Sequence, residues 1–415
     1  MSSSFKTISD VVAWRLCLGC GVCVSACPEK ALTLVDIEED GLRPQRDASR
    51  CVDCGQCVAV CPGAAIEAPP VHSAAIHDLQ PTWGNVLEVW EGYAADPEIR
   101  YRGSSGGVAT ALSLFALEGL GAEGVLHTGC ESGHPLKNQT VVSGSRDELL
   151  LQTGSRYSPA APCSDLEMMT GRKGRFLFVG KPCDVVALRK WQALEDRGYD
   201  SIDLAISIFC AGTPSTQGTR KILDELGVRP EDVTGFRYRG CGWPGRTVAT
   251  TNSQAAERSM TYDQSWGAIL SKHTQFRCRL CPDSTGELAD ISCGDPWYRK
   301  NDSDDPGRSL VLVRTEVGRA ALKKARDAGY VTLERVEPST VPRSQPALLR
   351  RRRHLWGRLA TLRLLGAAIP AYDRFSLFTN WRTLPATDKL RSILGTARRT
   401  IQRKWYRRRT PGRQQ

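Results

Sequence analysis

The sequence predicts a small α+β module at the N-terminus, an α/β domain with a mostly parallel or mixed sheet, and a basic helical tail. Two cysteine runs of identical spacing fall in the first part of the chain, and apolar segments then alternate with amphipathic ones. The last part is rich in arginine. We therefore divide the 415 residues into a module (1–68), a linker (69–84), a domain (85–345) and a tail (346–415).

The N-terminal module is an internal duplication. Each copy reads C-x2-C-x2-C-x3-C followed by proline, and the copies begin at Cys17 and Cys51. These spacings let one tight loop present three thiolates to a four-iron cubane, and the run resembles that of bacterial two-cluster ferredoxins, in which the fourth cysteine binds the other cluster. The sequence therefore predicts two [4Fe-4S] clusters. Cluster I would use Cys17, Cys20, Cys23 and Cys61, and cluster II would use Cys51, Cys54, Cys57 and Cys27.

Zinc fits these runs less well than iron–sulfur clusters do. Zinc sites take four ligands, typically as two C-x2-C pairs, and have no use for a run of four followed by proline. The polar N-terminus leads into no apolar signal segment, and no apolar run approaches the length of a membrane span. We therefore expect a cytoplasmic protein whose 16 cysteines are metal ligands or free thiols.

The central domain alternates apolar and amphipathic segments, which predicts a mostly parallel sheet covered on both faces. The predicted strands are Gly124–Thr128, Arg175–Val179 and Ile202–Phe209, and the predicted helices are Val108–Leu120, Val185–Arg197 and Thr216–Leu226. No G-x-G-x-x-G motif follows these strands, so an ordinary dinucleotide-binding fold has no support.

Two cysteines of this domain follow predicted strands, where open α/β sheets bind ligands. Cys183 lies between a strand and a helix, and Cys210 ends the next strand. Cys278 and Cys281 form a third C-x2-C pair. The four thiolates would suit another cubane, but spacing alone leaves open that Cys183 and Cys210 are buried small apolar residues.

A Ser/Gly-rich segment, Tyr101–Gly107, runs directly into the predicted helix at Val108. Backbone N–H groups at a helix N-terminus form an anion site suited to phosphate, and glycines allow close approach. On this evidence alone, a simple capping loop explains the segment equally well.

Six segments of the domain resemble, in the same order, the β-subunit family of coenzyme F420 hydrogenases and dehydrogenases. They are Ser104–Glu118, Gly154–Pro162, Phe178–Lys190, Ser207–Ser215, Phe236–Gly245 and Cys278–Trp297. The resemblance implies an α/β fold that carries FAD and one further [4Fe-4S] cluster. It implies that a third cluster is held by Cys183, Cys210, Cys278 and Cys281. It also implies that Ser104, Ser105, Gly106 and Gly107 lie near the flavin, in a cleft lined by Asp290 and Asp295.

The chain departs from the family pattern at two cysteines. Cys241 stands where a polar residue is expected, and Cys293 where a small apolar residue is expected. Either cysteine could replace one ligand of the third cluster. The sequence singles out no catalytic side chain.

The resemblance predicts an FAD-dependent oxidoreductase that passes electrons between its clusters and a two-electron acceptor, either coenzyme F420 or another organic substrate. An external protein would donate or accept the electrons. The alternative is a relay subunit without its own substrate that serves a partner enzyme, for example in surface-polysaccharide or tetrapyrrole metabolism, with which relatives are linked. Substrate, direction of electron flow and oligomeric state stay open.

The tail carries most of the positive charge. From Arg350 onward there are 18 Lys and Arg against two acids, a net +16, which leaves −5 for the rest of the chain. Leucines near helical spacing follow Arg350, and a second basic helix is predicted over Asp388–Arg409.

We expect the tail to be an electrostatic anchor that binds the inner face of an anionic membrane. The rest of the chain should fold without it. Docking on the body or a partner, and a solvated extension, are the alternatives. Without a groove-reading motif, nucleic acid is not expected.

Overall fold

The computed structural model describes residues 5–169, 174–194, 201–252, 258–300 and 306–409. The N-terminal module shows the duplication as two short helices, each entered through a glycine in the left-handed region, Gly21 (φ 86°) and Gly55 (φ 75°). Its elements are α1 (Ile8–Ala13), α2 (Val22–Ser25), β1 (Leu32–Ile37), β2 (Gly41–Arg46), α3 (Gln56–Ala59) and β3 (Ala65–Glu67). Strands β1 and β2 pair antiparallel.

Within the described residues, the central domain is built on an eight-stranded mixed sheet with the order β14-β4-β13-β12-β8-β7-β5-β6. Its strands are β4 (Glu88–Ala94), β5 (Gly124–Glu131), β6 (His134–Ser143), β7 (Phe176–Gly180), β8 (Ile202–Ile208), β12 (Ile291–Gly294), β13 (Ser309–Val313) and β14 (Val331–Arg335). The four strands β12, β8, β7 and β5 run parallel, and antiparallel strands flank them. The predicted fold class is confirmed.

Helices cover both faces of this sheet and bury two large apolar clusters against it. They are α4 (Gln80–Trp83), α5 (Pro97–Arg102), α6 (Val108–Gly119), α7 (Arg146–Leu151), α8 (Pro182–Gln192), α9 (Thr216–Leu226), α10 (Glu316–Asp327) and α11 (Thr340–Ser344). A smaller antiparallel sheet consists of β9 (Val233–Arg237), β10 (Arg246–Thr251) and β11 (Arg258–Thr261).

The predicted elements of the domain agree with the observed ones within one residue, except at one strand and one helix. Strand β5 continues to Glu131, three residues beyond its predicted end. Helix α8 begins three residues earlier than predicted, at Pro182, because proline is favoured in the first helical turn. It ends at Gln192, and the predicted stretch 195–197 lies outside the described residues. Part of the predicted linker is also structured. It contains helix α4, whose Trp83 is buried against the domain.

The tail packs into the fold, which corrects the expectation of a separate anchor. Its elements are α12 (Pro346–Leu364), β15 (Ala371–Asp373), α13 (Leu377–Arg382) and α14 (Ala386–Gln402). Leu355 and Leu362 are fully buried in one apolar cluster with Ile8 and Val11 of the N-terminal module. Strand β15 pairs parallel with β3 of that module. The helical pattern of leucines predicted a buried face correctly, but this face contacts protein.

The second tail helix is shorter than predicted. It ends at Gln402, and the following residues form turns that return to the N-terminal module. There the Arg409 backbone N–H donates to the Ala13 carbonyl (2.8 Å), and its guanidinium pairs with Asp40 (3.1 Å). Acidic groups of the module thus attract the end of the basic tail. Among the described helices, none has the length and apolarity needed to cross a bilayer.

Candidate redox site

In the described part of the N-terminal module, two small cavities are lined by cysteines. One is lined by Cys17, Cys20, Cys23 and Cys61, and the other by Cys27, Cys51, Cys54 and Cys57. Each cavity gathers three cysteines of one run and the fourth of the other, which is the grouping that the duplicated motif predicts. The crossing arises because each fourth cysteine lies just beyond a short helix, α2 or α3, and these two helices contact each other.

The thiols of the first cavity are deeply buried. Burial and the neighbouring Cys17 thiol raise the pKa of Cys61 to about 11, and burial likewise raises the pKa of Cys20 and Cys23. Buried thiolates are stable only beside compensating positive charge, which bound iron provides. Across the described residues, no three ligand side chains converge closely enough to share one metal ion. A cubane suits this donor set, because each thiolate binds a different iron atom.

Four cysteines of the central domain also converge. Cys183 lies in the first turn of α8, directly after β7, and Cys210 follows β8. The Cys210 N–H donates to the Ser284 carbonyl (2.9 Å), which ties this strand end to the loop of Cys278 and Cys281. Burial, together with the thiols of that loop, raises the pKa of Cys210 to about 12. The four thiols therefore lie at the carboxyl edge of two neighbouring parallel strands.

The two unexpected cysteines lie in other elements of the domain. Cys293 is buried within β12, and burial alone raises its pKa to about 12, without a contribution from another thiol. Cys241 lies in a loop with a left-handed backbone (φ 56°) and is only partly buried. Cys293 nevertheless lines the same cleft as Cys210, and its carbonyl accepts from the N–H of Phe209 (2.8 Å), the residue before Cys210.

A cleft of about 290 Å³ lies beside one of these four cysteines and the Ser/Gly-rich segment. Ser104, Ser105, Gly107 and Asp295 line it, as the resemblance implies, and so does Cys210. Gly107 caps α6 with φ 75°, and a Cβ atom there would lie 2.7 Å from the Ile99 carbonyl oxygen. Only glycine suits this close turn.

Two of the predicted cleft residues do not face the cleft. The Gly106 N–H donates to the Ser309 hydroxyl (3.0 Å), and a Cβ atom at Gly106 would lie 2.6 Å from the Gly92 carbonyl oxygen, so it packs on the sheet. Asp290 is buried, and its carboxylate accepts from Arg189 (2.8 Å) and from the Ala205 N–H (2.8 Å). Both positions support the fold around the cleft.

Asp295 is held by side chains that the sequence did not single out. Arg239 forms a bidentate pair with its carboxylate (2.5 and 3.0 Å), and the Trp243 indole N–H donates to it (2.8 Å). The Arg239 guanidinium lies over the rings of Tyr262 and Trp297, which stack on each other with centroids 5.0 Å apart. These rings form an aromatic wall of the cleft. The local signal in the sequence that could have pointed to this contact is an arginine within the aromatic-rich segment Phe236–Gly245.

Lys181 lies at the cleft, near Cys183 and Cys210. Its ammonium pairs with Asp184 (2.6 Å) at the start of α8, and both residues line the cleft. Burial would lower the pKa of Lys181, but Asp184 and the nearby thiols of Cys183 and Cys210 raise it overall. A positive charge is therefore maintained at this position.

Comparisons with known proteins agree with this architecture. Two family models match the domain: the N-terminal part of the coenzyme F420 hydrogenase/dehydrogenase β subunit at residues 89–166, and its C-terminal part at residues 173–339. A 4Fe-4S dicluster domain matches residues 16–65. The dicluster match confirms the iron–sulfur prediction for the N-terminal module.

Among similar proteins, the coenzyme F420 hydrogenase subunit beta of Methanococcus voltae is 26% identical over 266 residues, which are 61% of this chain and 86% of the relative. The coenzyme F420-dependent sulfite reductase of Methanocaldococcus jannaschii is 24% identical over 80% of this chain and 49% of its own length. In fold, the chain resembles a chain of the F420-reducing [NiFe] hydrogenase complex from Methanosarcina barkeri (TM-score 0.55, 22% identity, 70% of this chain and 97% of that one). The protein therefore belongs to the coenzyme F420 hydrogenase/dehydrogenase β-subunit family of oxidoreductase subunits and carries a 4Fe-4S dicluster domain at its N-terminus.

Proposed function

We propose that the chain is an iron–sulfur flavoprotein that passes electrons between three [4Fe-4S] clusters and a two-electron acceptor bound beside FAD in the cleft. The acceptor would be coenzyme F420 or another organic molecule. The proposal places cluster I and cluster II on the two cysteine groups of the N-terminal module. It places a third cluster, the body cluster, on Cys183, Cys210, Cys278 and Cys281.

The observation that carries the proposal is the continuity of the cysteine groups with the cleft. Burial and the thiols of Cys17 and Cys61 raise the pKa of Cys23 most, and the Cys57 thiol of cluster II lies near enough to contribute. Leu18, between two ligands of cluster I, packs against Cys183 and Cys278. Cys210 then lines the cleft itself. Short steps between neighbouring sites are what electron transfer through a protein requires.

The cleft residues fit a flavin with a phosphate group. A bound flavin would supply the exchange between one-electron and two-electron chemistry. The N-terminus of α6 points N–H groups at the cleft, which favours an anion there. The aromatic wall offers a flat apolar surface, and the Arg239–Asp295 pair holds that wall in place.

The experiment is cofactor analysis of anaerobically purified protein, followed by reduction assays. We expect about 12 iron atoms, from three four-iron clusters, and about one FAD per chain. Reduced protein should then reduce a soluble deazaflavin or a nicotinamide. About eight iron atoms without FAD would contradict the proposal. Full cofactor content without reduction of any soluble acceptor would favour the relay alternative.

We also propose that the outer face of α14 binds an anionic lipid surface. The buried face of this helix is polar, with Ser392, Thr396 and Thr400, whereas Leu390 and Leu394 on the opposite face are 57% and 64% exposed. Ile401 continues this apolar row, and the exposed basic residues Arg391 and Arg398 flank it. Exposed leucines beside arginines are typical of helices that lie in a membrane interface.

Vesicle co-sedimentation tests this surface. We expect wild-type protein to bind vesicles that contain anionic lipid at low salt, and the double variant Leu390→Ser/Leu394→Ser to bind several-fold less. Val317→Ser, at another exposed apolar position, is the matched control and should bind normally. Equal binding by wild type and the double variant would contradict the proposal, as would equal binding to neutral vesicles.

A further inference from the structure

Arg277 lies between two of the cysteine groups. It belongs to the short 3₁₀ helix Phe276–Leu280, directly before Cys278, and its side chain is fully buried. Its Nη2 atom donates to the Pro62 carbonyl (2.9 Å), and Pro62 directly follows Cys61 of cluster I. One guanidinium therefore contacts the backbone beside a ligand of cluster I and adjoins two ligands on the loop of the body cluster.

The charge of Arg277 has no carboxylate partner in the part of the chain that the structure describes. Its Nε and Nη1 atoms also lack hydrogen-bond partners there. The guanidinium instead lies over the Tyr372 ring, 5.2 Å from the centroid. The thiols of Cys281, Cys278 and Cys183 lie near enough to interact with the guanidinium electrostatically.

Two other buried arginines show what is unusual here. Arg352 pairs with the Glu287 carboxylate at 2.6 Å, and Arg314, which has no carboxylate partner in the described residues, donates hydrogen bonds from all three guanidinium nitrogens. Proteins rarely bury a charge without a counter-charge, because removing it from water is costly. The negative groups near Arg277 are the cysteine sulfurs, which become thiolates when they bind iron.

We propose that Arg277 is the counter-charge of the body cluster and raises the reduction potential of that cluster. This inference rests on the third cluster of the proposed function. Reduction adds one electron to the cluster and makes it more negative, with no bond formed or broken. A fixed buried cation stabilises the reduced form more than the oxidised form. The bond to Pro62 also holds this cation beside cluster I.

The test is a redox titration of the full-length protein, followed by electron paramagnetic resonance. The body-cluster signal is identified as the one that the Cys281→Ser variant loses. We expect Arg277→Gln to lower the midpoint potential of the body cluster and to leave cluster II unchanged. Arg277→Lys should give an intermediate potential, because it keeps the charge. Arg279→Gln removes a partly exposed charge from the same loop, which solvent screens, and should shift the potential much less.

The outcomes separate this inference from the proposed function. If wild-type protein contains only about eight iron atoms, it has no body cluster, and the proposed function is contradicted. A full iron content with the same body-cluster potential in wild type and Arg277→Gln would overturn the role of Arg277 alone. If Arg277→Gln loses four iron atoms, Arg277→Lys decides: retention of the cluster supports the charge, and its loss shows that the shape of arginine matters instead.

Discussion

Arg352 in the tail helix α12 forms a buried ion pair with Glu287 of the central domain, with Nη1 and Oε1 2.6 Å apart and both side chains at most 5% exposed. The same Arg352 atom also donates to the Pro282 carbonyl, directly after Cys281. The basic tail is thus attached to the loop that presents two of the body cysteines. This contact makes the tail part of the domain fold.

We predict that Arg352→Met destabilises the protein by about 3 kcal/mol, because it leaves the Glu287 carboxylate buried without its partner. Chemical denaturation of the apoprotein under reducing conditions measures this loss. Arg353→Met is the control, because that side chain is only half-buried, and it should change the unfolding free energy by less than about 1 kcal/mol. By the same reasoning, a chain that ends at Pro346 should fail to fold, and a stable truncated protein would contradict this account.

Replacement of one body cysteine should remove one cluster only. Cys281→Ser is expected to lose about four iron atoms per chain and to keep clusters I and II. Cys163→Ser is the control: that thiol is fully buried beside Cys20, but it belongs to neither cysteine-lined cavity of the module. Iron analysis together with absorption spectra measures the difference. A normal iron content in Cys281→Ser would show that the body ligands are assigned incorrectly.

Gly107→Ala should reduce the FAD content and leave the iron content unchanged. The added Cβ atom would lie 2.7 Å from the Ile99 carbonyl oxygen, so the loop at the start of α6 must move. Gly121→Ala is a matched control, because Gly121 has a similar left-handed backbone (φ 68°) but open space around its Cα. Flavin fluorescence after denaturation measures the occupancy. Equal flavin loss in both variants would indicate general backbone strain rather than a local effect on the cleft.

We predict that His127 makes the free energy of unfolding decrease as the pH is lowered. Burial lowers the pKa of this side chain to about 4, from an ordinary value of 6.5, and it lies in the cleft with Nε2 2.8 Å from the Ser143 hydroxyl. Between pH 6.5 and 4 the unfolded chain binds a proton that the folded chain does not, so stability falls as the pH falls through this range. The full effect is about 3 kcal/mol. His127→Gln should flatten the pH dependence of unfolding in this window, and an unchanged slope would contradict the assignment.

Sequence alone determined the features that depend on local spacing. Each cysteine run lies in one tight loop, so the spacing predicts the thiolate groups, and the duplication explains why each fourth cysteine joins the other group. The strands and helices around Cys183 and Cys210 followed from hydrophobic periodicity, because each is a short continuous segment. Local reasoning thus located Cys183 and Cys210 at one edge of the sheet.

Tertiary structure decided what covers each surface, since this depends on contacts between residues far apart in sequence. The spacing of Leu355 and Leu362 predicts an apolar helix face, but it does not distinguish a membrane from the N-terminal module as the contact. In α14 the hydrophobic pattern would predict the wrong buried face, because its leucines face outward and its small hydroxyl residues face inward. Arg239 meets Asp295 across 56 residues of chain, and Arg277 meets Pro62 across 215. No local pattern encodes such pairs, because only the packing of the whole fold brings them together.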